Sequence, residues 1–255
     1  MIDDKAGSGM NAALEEFLDV AKTVGIAVGV TLFVRFFFIQ PFNIPSASME
    51  PTLMTGDFIL VDKIDYGYSK ASLIFPLTRL PTEGRLFSDG PDRGEVAVFK
   101  NVNDRNKDYV KRIVGLPGDT IQVRGGVLMI NGQSVTREII RGAETTCDGG
   151  TGIQYHETMP QGGPTYVVQE CFGDNGRLDN TPPVIVPPGH YFGMGDNRDN
   201  SIDSRAPGVR FIPHDQLVGR ARRVAFSVDG QRAAFWQIWR WPFAIRYARI
   251  GDKVD

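Results

Sequence analysis

Ser48 and Lys111 have the chemistry of a nucleophile and its base, and each lies in a short segment rich in turn-forming residues. The first segment is Pro45-Ser46-Ala47-Ser48-Met49-Glu50-Pro51-Thr52-Leu53, and the second runs from Asp108 to Asp119. A serine hydroxyl becomes a nucleophile at neutral pH only when a base takes its proton, and a desolvated lysine can be that base. A free lysine, with pKa about 10.4, is neutral in roughly one molecule in a thousand at pH 7. Burial that lowers it by a couple of units would make it usable. Read as a strand, the second segment puts Tyr109, Lys111 and Ile113 on one face and Val110, Arg112 and Val114 on the other. Lys111 then sits between apolar neighbours, while Arg112 stays charged and cannot be the base. A third segment, Gly195 to Arg205, is dense in polar groups. In it Ser201 can hold the Lys111 ammonium, and Asp203 and Arg205 can pair to fix the loop. Ser46, with the Ser48 N–H, can face a developing oxyanion. A lone serine beside proline usually caps a turn, and a lone strand lysine usually faces solvent, so the weight rests on the three segments together.

The elements that must carry these residues begin with a mostly apolar stretch from Leu18 to Ile39, interrupted by Asp19, Lys22 and Arg35. A membrane-spanning helix needs roughly 20 largely apolar residues, and charges near its ends can snorkel. Pro41 and Pro45 then stop the helix. A cleavable export signal fits less well, because Asp3, Asp4, Glu15 and Glu16 face a single early lysine, Lys5. A buried helix of a soluble domain would be amphipathic, and the Phe36-Phe37-Phe38 run is not.

Past this stretch the pattern is β. Asp57–Asp62 and Glu95–Phe99 are short apolar runs bounded by turn residues, and Asn131-Gly132 between Val127–Ile130 and Gln133–Val135 signals a two-residue hairpin turn. Residues from about 136 to 189, rich in Gly, Pro and Thr, read as an inserted β subdomain or as long loops. Phe235-Trp236-Gln237-Ile238-Trp239-Arg240-Trp241-Pro242-Phe243 suits either a membrane interface or a cap on the soluble core. Cys147 and Cys171 can close one disulfide outside the cytoplasm or remain two thiols. The net charge of -2 gives no field for nucleic acid, and no Cys/His set suggests a metal. His156, His190 and His214 all fall outside the dense segments, which disfavours a Ser-His-Asp hydrolase.

Together the three segments closely resemble the signature boxes of bacterial type I signal peptidase (leader peptidase), and Gly56-Asp57-Phe58-Ile59-Leu60-Val61 resembles the box following the nucleophile. The likeness runs in order from about Gln40 to Arg205, behind one apparent anchor where the best-known layout has two. It implies a mainly β fold: a single N-terminal transmembrane helix, then an antiparallel β-sheet catalytic domain with an inserted second β subdomain. The expected divisions are a short cytoplasmic tail (1–17), the anchor (18–39), the catalytic domain in two parts (40–121 and 190–232), the insertion (122–189) and an aromatic, arginine-rich end (233–255). Carried over by resemblance, Ser48 is the nucleophile, Lys111 the general base, Ser46 an oxyanion donor and Ser201 the group orienting the lysine. Asp203 supports the site through Arg205 and Arg112. Phe42, Ile44, Met49, Leu53, Ile59, Tyr109 and Val110 line two shallow pockets for small side chains, typically alanine, one and three residues before the cut. The implied partners are signal peptides of exported preproteins and the phospholipid membrane, with no cofactor. The implied location is the bacterial cytoplasmic membrane, catalytic domain on the outer, periplasmic side. Two other functions fit the same residues: a specialised Ser/Lys peptidase maturing one pilin or conjugation protein, and a non-enzymatic membrane-anchored domain that binds partners or peptidoglycan.

Overall fold

The computed structural model describes residues 3–72, 84–87, 90–101, 104, 107–147, 150–230, 232 and 237–254. Phe235 and Trp236 of the aromatic segment lie outside them. The chain divides into two compact units, Met1–Ile39 and Gln40–Asp255.

The first unit is one helix, α1 (Asp3–Phe37). It runs unbroken through the residues expected to form a separate tail. From Leu14 to Phe37 it is apolar enough to cross a membrane. At about 1.5 Å per residue those 24 residues span about 36 Å, more than the hydrocarbon core of a bilayer. The helix has no amphipathic face, and every side chain from Leu14 to Phe37 except Phe36 is exposed. Apolar residues on all sides with nothing packed on them suit a lipid environment better than a protein core.

The second unit is built mainly from strands. After β1 (Ile39–Asn43) come β2 (Asp57–Asp62), β3 (Val96–Lys100) and β4 (Asp108–Gly115). Then follow β5 (Thr120–Arg124), β6 (Val127–Ile130), β7 (Gln133–Ser134), β8 (Thr136–Cys147), β9 (Gly150–Thr158), β10 (Thr165–Glu170) and β11 (Val184–Ile185). The last are β12 (His190–Met194), β13 (Ile212–Pro213) and β14 (Leu217–Ser227). Seven form the main sheet in the order β1-β2-β14-β3-β4-β12-β13. Residues 120–185 supply two smaller sheets, β11-β5-β6-β7 and β10-β9-β8. The fold is thus mainly β and antiparallel, behind an N-terminal apolar helix.

Local chemistry explains the strand boundaries. Asn131 and Gly132 both have positive φ (52° and 80°), the conformation that a tight hairpin turn between β6 and β7 demands. In β2 the alternation is strict: Asp57, Ile59 and Val61 are buried, while Phe58, Leu60 and Asp62 are partly exposed. Ile59 and Val61 join Ile44, Met49, Leu53, Val96, Val98 and Val224 in one apolar cluster beneath the segment that carries Ser48. A second cluster, with Val114, Ile121, Leu128, Tyr166 and Phe192, joins the main sheet to the smaller ones. Cys147 and Cys171 form a disulfide that ties the end of β8 to the residue after β10.

The C-terminal segment caps the main sheet. Asp57, fully buried, accepts hydrogen bonds from Arg249 Nη2 at 2.6 Å and from Ser227 Oγ at 2.6 Å. Val254 enters the cluster beneath Ser48. Trp239 and Phe243 remain exposed.

Candidate active site

Three elements meet at Ser48. The segment that carries Ser48 leaves β1 and makes a single 3-10 turn, Ala47–Met49, whose Met49 side chain is buried and holds the turn on the core. Strand β4 brings Lys111. The loop after β12, Gly195 to Arg205, closes over the turn: Asn197 donates from its backbone N to Ser48 O (3.2 Å) and from Nδ2 to Ala47 O (3.1 Å). Gly195 is required by this approach, since a Cβ there would collide with Ser48 O and Ser201 Oγ.

Lys111 is 5% exposed, and its Nζ lies 2.8 Å from Ser48 Oγ and 2.9 Å from Val110 O. Burial lowers its pKa to about 8, against the opposite pull of the Asp203 and Asp196 carboxylates. About a tenth of the amine is then neutral at pH 7, and Nζ lies within proton-transfer reach of the Ser48 hydroxyl. Ser46 is exposed, with Oγ 3.5 Å from Ser48 Oγ.

The alternation along β4 sends Arg112 away from Lys111. Its guanidinium grips Asp196 in a fork (Nε–Oδ1 2.8 Å, Nη2–Oδ2 2.7 Å) and lies 4.2 Å from the Tyr166 ring centroid. This corrects the expectation that Arg112 serves Asp203. Asp203 takes its fork from Arg205, with both contacts at 2.9 Å, and accepts the Gly195 N–H at 2.9 Å. Burial alone would raise the Asp203 carboxyl, but Arg205 outweighs it and holds the group below its usual range. A third fork joins Arg198 to Glu157, whose Oε1 also accepts the Tyr166 hydroxyl at 2.6 Å. All three forks are buried and two-pronged, the arrangement in which an ion pair fixes geometry best.

A cleft of about 680 Å³ opens beside Ser48, lined among others by Phe42, Ile44, Met49, Tyr109, Val110 and Ser201. Leu53 and Ile59, expected in its walls, are not there: both are fully buried in the cluster that supports Ile44 and Met49 from behind. Alternation in β2 turns Ile59 inward, and Leu53 lies past the turn. Ser201 lines the cleft, yet its buried Oγ makes no hydrogen bond, to Lys111 or to any other described residue. No histidine lines the cleft. In the sequence, Asp196 and Asn197 stand out only as members of a polar run. Glu157 and Tyr166 carry no signal there, being 39 and 30 residues distant from Asp196.

The profile of the family described as "Signal peptidase, peptidase S26" matches residues 17–226. A signal peptidase I of Rickettsia typhi is 38% identical over 206 residues, covering 78% of this chain and 76% of its own. One from Rickettsia akari is 37% identical over 236 residues, covering 89% and 85%. A crystal structure of a signal peptidase I from Enterococcus faecalis V583 aligns with a TM-score of 0.33 at 25% identity, over 51% of this chain and 95% of that one.

Proposed function

The chain belongs to the signal peptidase family, peptidase S26, and from that premise we propose that it removes amino-terminal signal peptides from exported preproteins by a Ser48/Lys111 mechanism. The observation that carries this reading is the buried Lys111 amine, 2.8 Å from Ser48 Oγ at the wall of an apolar cleft.

Neutral Lys111 takes the Ser48 proton as Oγ attacks the scissile carbonyl. The Ser48 N–H and the Ser46 hydroxyl stabilise the oxyanion. Lys111 then delivers its proton to the leaving amine, and water, deprotonated in turn by Lys111, releases the signal peptide from Ser48. An ammonium has three protons to donate, and Ser48 Oγ and Val110 O account for two. Ser201 Oγ, buried and without a hydrogen bond, is suited to accept the third once Lys111 is charged.

Apolar walls from Phe42, Ile44, Met49, Tyr109 and Val110 favour small side chains before the cut, since a shallow pocket accepts a methyl group and rejects bulk. The substrate binds extended, as an added strand. Helix α1 anchors the enzyme as a single span, and the Cys147–Cys171 disulfide favours the oxidising, outer side for the catalytic unit.

The test is cleavage of a preprotein with an Ala-x-Ala site in detergent. Wild type is expected to cut, and Ser48→Ala and Lys111→Ala to lose at least about a thousandfold in rate with unchanged circular dichroism. Residual cleavage near wild-type rate in either folded variant would overturn the dyad.

A further inference from the structure

Beside the cleft, one cluster of side chains has no part in the proposed hydrolysis. Glu170 ends β10, Asp179 lies in the loop after it, and Asp199 precedes Ser201 by two residues. One carboxylate oxygen from each lies within 4.8 Å of the other two. Glu170 and Asp179 are each 1% exposed.

Several of their oxygens already have donors. Glu170 Oε1 accepts from Arg137 at 3.0 Å, Asp179 Oδ2 from the Gly176 N–H at 2.5 Å, and Asp199 Oδ2 from the Cys171 and Phe172 N–H groups at 2.7 Å. Glu170 Oε2 is different: it is sealed from solvent and accepts no hydrogen bond. A buried carboxylate oxygen without a donor is costly, and two further carboxylates lie close to the Glu170 carboxyl. Arginine offsets them only in part: Arg198 and Arg137 act on Glu170 and Arg205 on Asp179, and burial outweighs them. Arg112, Arg198 and Arg205 are committed to Asp196, Glu157 and Asp203. Among the described residues Arg137 is the one cation at ion-pair distance from the trio, through Glu170. Asp179 and Asp199 have no such partner among them.

We propose that Glu170, Asp179 and Asp199 bind a calcium ion. The donors are all anionic oxygens, the set that hard cations select over zinc or copper. Coordination then favours Ca²⁺, whose flexible geometry tolerates three carboxylates fixed by the fold, whereas Mg²⁺ demands a near-ideal octahedron and keeps most of its waters. Asp199 is partly exposed, so water can complete the shell. The ion would join the end of β10, the 173–179 loop and the polar segment that covers Ser48. Arg177 of that loop and Asp199 itself line the cleft, so the ion stiffens a wall of the substrate site.

Calorimetric titration of Ca²⁺ into the full-length protein in detergent, paired with thermal unfolding in Ca²⁺ and in EDTA, tests this. One ion per chain and a higher Tm in millimolar Ca²⁺ are expected. Asp179→Asn and Glu170→Gln are expected to weaken binding at least tenfold and to abolish the Tm shift, while Glu138→Gln, on an exposed side chain, keeps both. No heat and no shift in wild type would overturn the proposal and leave a proton shared among the carboxyls. An equal shift in wild type and folded Asp179→Asn would overturn it as well, placing the ion elsewhere. Should these variants fail to fold, Asp199→Asn, at the partly exposed member of the trio, replaces them in both measurements with the same expected loss.

Discussion

The proposed role of Lys111 needs its amine buried so that part of it is neutral, and that burial destabilises the folded protein. With the folded pKa near 8 and an ordinary value of 10.5, the unfolded chain binds more protons between those limits. Stability therefore rises with pH across that window, and below pH 8 the native state bears the whole cost, about 3 kcal/mol. Lys111→Met should remove it: the variant is inactive but melts higher than wild type at pH 7, and the gap closes as pH approaches 10. Equal melting temperatures at pH 7 would contradict the assigned desolvation. For catalysis the sign is simpler, because only the neutral amine is a base. The pH profile of kcat/KM should rise through about 8 and flatten above it, not climb towards 10.5. Lys111→Arg should be inactive at every pH, since guanidinium does not deprotonate.

Strand β4 divides two neighbouring cations between two duties. The fork from Arg112 to Asp196 holds the loop that carries Asn197, and Asn197 in turn holds the carbonyls of Ala47 and Ser48. Arg112→Ala leaves Asp196 buried without its cation, a loss of roughly 3–5 kcal/mol measurable by urea unfolding. Gly195→Ala acts differently. The added methyl presses on Ser48 O and Ser201 Oγ, so cleavage should fall far more than Tm, read by comparing the two in one preparation. The disulfide closes a loop with a sequence separation of 24. Loop-closure entropy assigns it about 3 kcal/mol, and the double variant Cys147→Ser/Cys171→Ser should lose stability of that order.

Across the whole molecule, α1 and the β unit are separate bodies. The fragment Gln40–Asp255 should fold alone, with a cooperative melt, because its apolar clusters draw on no residue before Phe42. A fragment that fails to melt cooperatively would mean that α1 contributes to the stability of the β unit. The proposed catalytic constellation draws residues 48, 111 and 201 from three elements of the β unit, while the segment between β5 and β11 contributes Tyr166 and Glu157 behind it.

Much of this molecule is legible in its amino-acid sequence. Helix α1 is evident there because a lipid-facing helix needs only a continuous apolar run, a local property. The strands, the Asn131-Gly132 turn and the alternation separating Lys111 from Arg112 follow from a period of two along the chain, also local. Ser48 and Lys111 stand out in the sequence only through the three segments together, because residue type and local setting alone fit a turn cap and a solvent-facing lysine. Partnership is another matter. That Arg112 meets Asp196 rather than Asp203, that Leu53 and Ile59 support the cleft instead of lining it, that Cys147 meets Cys171, and that Glu157 and Tyr166 lie behind the site all depend on which strands pair and in what register. Those contacts join residues tens of positions apart, and burial and ion pairing are settled only when such distant surfaces close on one another.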